Sequence, residues 1–397
     1  MAMGVMNLST YGFTMIAARV LGPRSYGALA SLLATLMVIG VLQLSLQATA
    51  ARRISAEPQH VAQIEKTVLG VTYRASLLLG GILLVLSPLV NRVLKLDSLA
   101  TAALVAVAAV PLTMMGGQAG VLQGERRWWP LAVMYVASGV PRLAIGTALI
   151  LWHPNETAAM LGVALGAVPP VLLGWWALRR RRVPGVSSEQ HGFRLVLRET
   201  VHNGQALFAF FALSNADVIV ARNVLPEHDA GLYAGGLILT KAVLFLPQFV
   251  IVVAFPSMST TSERSRALTR SLVLVGVLGL GATFGALALK DLALVFVGGS
   301  EYGEIANTLW VFAILGTALS MLQLLVYSVL ARQGKRPVYL VWAAFLTVVC
   351  VGYFLTSLHA LITLVVVTDL ILFALLLALS IRSLRQDAEP AAADGAP

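Results

Sequence analysis

Charge is scarce in this chain. Asp, Glu, Lys and Arg make up 12% of its 397 residues, about half the share of an ordinary soluble domain. That scarcity excludes both a soluble globular protein and a disordered one, because the first needs a wetted surface and the second is held open by charge. Cysteine is almost absent. The single Cys350 excludes an internal disulfide and any multi-cysteine metal site, and its apolar surroundings from Leu346 to Phe354 make it an inert small hydrophobe. No Gly-rich phosphate loop, metal-ligand spacing or Asp-x-Asp motif occurs. The sequence therefore gives no catalytic residue, no metal and no cofactor to expect. A secretory leader is not expected either, since the start lacks a basic stretch and a small-residue cleavage site.

What is present is apolar. Hydrophobic residues reach 58% and mean hydropathy is +0.84. A membrane-spanning helix needs about 20 mostly apolar residues. Windows of that size predict twelve spans, near 1–19, 28–50, 67–90, 99–122, 129–151, 158–178, 204–224, 234–256, 271–289, 305–330, 338–356 and 360–380. The first and seventh are the most polar. Polar residues in a span are costly and turn toward a bundle interior or a wet path.

The net charge of +10 raises nucleic-acid binding, but its distribution argues against it. With the N-terminus inside, Arg19, Arg24, Arg92, Lys95, Arg222 and Lys290 fall on the outer side, and Arg74, Arg142 and Lys241 fall in spans. The rest of the 28 Lys and Arg lie inside. This positive-inside pattern predicts a multi-pass plasma-membrane protein with both termini cytoplasmic and no nucleic-acid partner.

The connection at 179–203 divides the spans six and six. It carries the run Arg179–Arg182, a surface anchor or an anionic-lipid site, followed by an amphipathic stretch from Phe193 to Val201. Short matches recur across that divide. Ala18-Arg19-Val20 corresponds to Ala221-Arg222-Asn223, Tyr26-Gly27-Ala28 to Ala230-Gly231-Leu232, and Gln123-Gly124-Glu125-Arg126 to Gln333-Gly334-Lys335-Arg336. An even number of spans per half keeps both halves in one orientation, related by an axis along the membrane normal. The expected fold is all-α and polytopic, with about twelve transmembrane helices in two six-helix lobes related by a pseudo-twofold. The lobes are 1–178 and 204–383, with a cytoplasmic linker at 179–203 and a disordered tail at 384–397.

Several of these segments also resemble a known family. Ala18-Arg19-Val20-Leu21-Gly22-Pro23-Arg24-Ser25-Tyr26-Gly27 resembles the opening signature of bacterial polysaccharide (O-antigen type) flippases. Asn215-x-Asp217 with Ala230-Gly231-Leu232-Tyr233-Ala234 resembles the start of their second half, and Ala331-Arg332-Gln333-Gly334-Lys335 their turn after span ten. The chain departs from the pattern in lacking the usual N-terminal extension. It also has twelve spans, where lipid II flippases of the same superfamily have fourteen. The resemblance implies movement of polyprenyl-pyrophosphate-linked sugars from the inner to the outer leaflet, by a protein expected to be a monomer.

Ionisable residues inside spans are functional candidates by default. They are Arg74, Arg142, Asp217, Lys241 and Asp369, net positive, as suits an anionic lipid pyrophosphate. Arg74, Arg142 and Lys241 are the expected substrate-binding residues. Asp217, Asp369 and Asn215 are candidates for coupling to a proton or sodium ion. Hydropathy places Asp217 and Lys241 at equal depth on adjacent spans, where they would form an ion pair. Gln43, Gln47, Gln118, Gln248 and Gln323 suit inter-helix hydrogen bonds or sugar hydroxyls. Two alternatives stand beside this reading. An ion-coupled drug extruder of the same superfamily would favour an acidic, aromatic cavity. A glycan-polymerising membrane enzyme would need large outer loops, whereas the longest, 290–304, offers Asp291, Glu301 and Glu304 but no His.

Overall fold

Backbone polar groups have no water to bond in a bilayer, so a chain this apolar must satisfy them within helices or a closed barrel. A computed structural model describes residues 1–179, 192–244, 264–330 and 336–393. Every regular element among them is a helix. The helices are α1 (Ala2–Ile39), α2 (Val41–Ala56), α3 (Val61–Val85), α4 (Ser87–Val93), α5 (Leu99–Gly124), α6 (Trp128–Trp152), α7 (Glu156–Gly166) and α8 (Val168–Leu178). They continue as α9 (Phe193–Val224), α10 (Glu227–Leu244), α11 (Arg264–Ala288), α12 (Lys290–Val297), α13 (Leu309–Leu330), α14 (Arg336–Gly352) and α15 (Leu358–Ala393). Short 3-10 turns lie at Pro58–His60 and Ser300–Thr308.

Among the described residues nine stretches are long and apolar enough to cross a membrane. One of them, Ala2–Ala56, holds two of the expected spans. They part at Gly22, whose φ of 67° and ψ of 173° only glycine adopts without strain, and Pro23 starts the next helix. α10 and α14 account for the shorter remainder, so about twelve helices cross, as the sequence predicts.

The chain forms two compact units, Met1–Phe211 and Ala212–Pro397. In the first, α2 and α3 both pack on α5, and α6 packs on α1, α7 and α8. In the second, α10 and α11 both pack on α13, and α14 packs on α15. Counted by span, the second and third lie on the fourth, and the fifth on the sixth, in each unit. This shared pattern is the structural counterpart of the internal repeat.

Small residues make the crossings close. Gly116, Gly120 and Gly124 line one face of α5. A methyl group there would meet the backbone carbonyls of Gln43 and Gln47 and the side chain of Ile54. In the second unit Gly316 of α13 lies against the backbone of Thr240, and Gly236 of α10 against the Phe312 ring.

Candidate functional site

The second unit collects most of the buried charge. α9 and α10 are joined by only two residues, Leu225 and Pro226, and form an antiparallel hairpin. Asp217 lies seven residues before the end of α9, and Tyr233 six after the start of α10, so the two face each other. Tyr233 Oη donates to Asp217 Oδ2 at 2.8 Å, and the Val218 amide donates to Asp217 Oδ1 at 2.9 Å. Asp217, Tyr233 and Asn215 are all buried. The Phe312 ring stands edge-on to Tyr233, with centroids 5.7 Å apart, and closes the apolar side. Thr240 donates to the Phe312 carbonyl at 2.8 Å and ties α10 to α13 beside it.

Asp369 comes from α15, which touches α10. Its side chain is buried and lies within coulombic reach of Asp217 and of Tyr233. Its Oδ1 has no hydrogen-bond partner among the described residues. Two carboxylates, a phenol and an amide thus converge from three helices. If both acids are ionised, Lys241 balances only one of them.

The direct Asp217–Lys241 pair is not formed. Lys241 Nζ donates instead to Asn215 Oδ1 at 3.3 Å, and Asp217 takes its hydrogen bonds from Tyr233 and the Val218 amide. Register explains the difference. The hydropathy window begins span eight at residue 234, whereas α10 begins at Glu227, with Glu227 and Asp229 favoured in its first turn by the helix dipole. Seven residues at a 1.5 Å rise move Lys241 about 10 Å deeper than expected. Tyr233, not Lys241, lands opposite Asp217.

In the first unit Arg142 follows Pro141 inside α6. Gly139, Gly146 and Gly166 bring α1, α6 and α7 together around it. A methyl group at these positions would meet Met6, Phe13 and the Arg142 backbone respectively. The half-buried guanidinium lies 5.4 Å from the centroid of the buried Phe13 ring. Its Nε is sealed from solvent with no hydrogen-bond partner, and no carboxylate pairs with it among the described residues.

Arg74 occupies a different place. It is exposed on α3, with its guanidinium 5.1 Å from the Phe193 ring at the start of α9. The expected site residues therefore gather as one group in the second unit (Asn215, Asp217, Lys241 and Asp369) and as two separate arginines in the first. Of the basic run, Arg179 lies over Trp175 at 4.4 Å, and Arg180–Arg182 fall outside the described residues, as does Gln248. Gln47 joins two helices by donating to Gln123 at 2.8 Å and to Tyr135 at 2.7 Å.

The sequence reading missed Tyr233 and Phe13 as site residues. Tyr233 stands sixteen positions after Asp217 across a two-residue turn, which is a legible signal once the turn is placed. Phe13 carried no distinguishing signal.

This all-helical, multi-pass fold is similar to that of solved MOP-superfamily transporters. A multidrug resistance MATE family transporter of that superfamily, in an inward-facing conformation, superposes with a TM-score of 0.73 at 15% identity, over 97% of this chain and 96% of its own. The lipid II flippase MurJ, inward closed, gives 0.71 at 12% identity, over 96% and 86%. A MOP superfamily transporter from Pyrococcus furiosus, described by the reverse polarity of its binding pocket, gives 0.63 at 13%, over 97% and 93%. No curated protein sequence matches the chain. The family described as polysaccharide biosynthesis protein matches residues 1–262, and the chain belongs to that family.

Proposed function

We propose that the protein carries polyprenyl-pyrophosphate-linked oligosaccharide from the inner to the outer leaflet of a bacterial plasma membrane. It works by alternating access between the six-helix lobes 1–178 and 204–383, related by a pseudo-twofold along the membrane normal, with both termini cytoplasmic. It acts as a monomer, without catalysis.

Arg142 is the observation that carries this reading. A cation in an apolar bundle costs about 2.5–3.5 kcal/mol on insertion scales, and among the described residues a phenylalanine face is what offsets it. A diphosphate supplies the missing bidentate acceptors. Family membership supports the same substrate class. Arg74 and Lys241 are further contacts for the anionic headgroup as the lobes rearrange.

The cluster in the second unit serves the coupling ion. Asp369 holds an unpartnered carboxylate oxygen beside the hydrogen-bonded Asp217. A proton shared between them, or a sodium ion held by both with Asn215, relieves the repulsion of two buried like charges.

The test is genetic and chemical. In cells lacking the protein, lipid-linked oligosaccharide is expected to accumulate in the inner leaflet, and an Arg142→Ala variant at normal abundance should reproduce this. Unchanged outer-leaflet glycan in the deletion, with new sensitivity to cationic drugs, would overturn the reading in favour of a drug extruder.

A further inference from the structure

The first third of α9 turns its acid inward and its bases outward. Val196 is fully buried against Leu46, Ala50, Ile64 and Val68. Thr200, one turn on, is also buried and donates to the Val196 carbonyl at 2.9 Å. Glu199, beside them, accepts from Arg53 Nε at 2.8 Å and also pairs with Arg52. One face of the helix is thereby fixed to α2 and α3.

The opposite face carries Arg194, Leu197, Arg198, Val201 and Gln205, the spacing of one helical stripe. These five residues line an open groove of ≈ 430 Å³. Both arginines are exposed and have no carboxylate partner among the described residues. Leu197 and Val201 are 36% and 55% exposed. Apolar and cationic surface therefore lie side by side.

The level of this groove is set independently. Ser55, near the end of α2, donates to the carbonyl of Gly124 at 3.4 Å, so α2 and α5 end together. Arg127, just beyond, donates to the carbonyl of Ala177 at 2.8 Å and brings the end of α8 to the same place. Trp128, Trp129, Trp175 and Trp176 stand exposed there. Clustered exposed tryptophans mark the boundary between hydrocarbon and headgroups. Glu199 holds the groove at this same end of the first unit.

We infer that the groove formed by Arg194, Leu197, Arg198, Val201 and Gln205 binds an anionic phospholipid of the adjoining leaflet. The two guanidiniums take the phosphate, and Leu197 and Val201 take the upper part of an acyl chain. Charge complementarity selects an anionic headgroup, and the apolar residues select a lipid over a soluble phosphate. This assignment does not depend on which substrate the protein carries.

Phosphatidylglycerol and phosphatidylcholine, titrated separately into the purified full-length protein, test it. The wild type should prefer phosphatidylglycerol. The double variant Arg194→Gln/Arg198→Gln should lose about 30-fold of that preference, roughly what two basic side chains at an anionic surface contribute. A preference unchanged in the double variant overturns the site. Should that variant fail to fold, the wild type still decides. A headgroup photo-crosslinker on phosphatidylglycerol should label the segment 193–205, and label confined to other segments overturns the inference. Labelling of 193–205 by a polyprenyl diphosphate probe but not by phosphatidylglycerol also overturns it, and would reassign the groove to the transported class of lipid.

Discussion

At the residue scale, Arg142 belongs to the first unit and the Asp217–Asp369 cluster to the second. Arg142 stacks on Phe13 with no counter-ion among the described residues. Asp217 accepts from Tyr233, with the buried Asp369 within coulombic reach of both. Replacing Arg142 with Ala is expected to lower flipping of lipid-linked oligosaccharide 10- to 150-fold, the range of a lost charge-assisted contact. Lys at that position should restore only part of it, because an ammonium cannot form the bidentate fork. A vesicle assay of labelled lipid against protein abundance reads both. Tyr233→Phe removes the donor to Asp217 and should weaken coupling about tenfold, seen as a shift in the cation concentration or pH that supports half-maximal transport. The charge swap Asp217→Lys with Lys241→Asp should not rescue either single variant, since Lys241 bonds Asn215 while Asp217 bonds Tyr233 and the Val218 amide, with no direct pair between them. Rescue by the swap would show that the pair forms in another state. The sequence made the acids legible, because a carboxylate in an apolar run needs a reason. It could not show the pairing, because hydropathy finds where apolar character starts and not where the helix starts. The polar first turn of α10, Glu227 to Asp229, hid seven residues of register and with them the role of Tyr233.

At the element scale, crossings depend on what is missing from side chains. α2 meets α5 along Gly116, Gly120 and Gly124, where no Cβ fits. Gly120→Leu should separate these helices and destabilise the protein by about 1–3 kcal/mol, as overpacking does elsewhere, with a lower melting temperature in detergent and loss of the Gln47–Gln123 bond. Gly22 is a separate case. Its backbone conformation is nearly reserved for glycine, so Gly22→Ala should cost about 1–3 kcal/mol through strain alone. The number and rough placement of the helices were readable from twenty-residue windows. The turn at Gly22-Pro23 was readable from residue chemistry. The glycine stripe on α5 was not singled out, because a run rich in Ala, Val and Gly looks the same whether its small residues face a neighbouring helix or lipid.

At the scale of the whole molecule, the repeat seen in short sequence matches reappears as a shared order of contacts, span two and span three on span four in both units. The topology can be checked directly. A cysteine in place of Glu57 should react only with reagents reaching the cytoplasm, and one in place of Glu227 only with reagents applied outside. Labelling of both from one side would remove the twelve-span arrangement. α9 also bears on how the chain is made. It is one helix of 32 residues, yet the division between the compact units falls within it, after Phe211. Its opening turns already hold Val196 among residues of α2 and α3 and Glu199 against Arg52 and Arg53. During synthesis, which completes N-terminal parts first, α2 and α3 are made before these turns of α9. The start of α9 is therefore held within the first unit. A chain stalled far enough beyond Phe211 for α9 to have left the ribosome should protect residues 193–211 from protease, and Glu199→Ala should weaken that protection. The anchor for the helix that opens the second unit is thus complete in the chain before the rest of that unit is made.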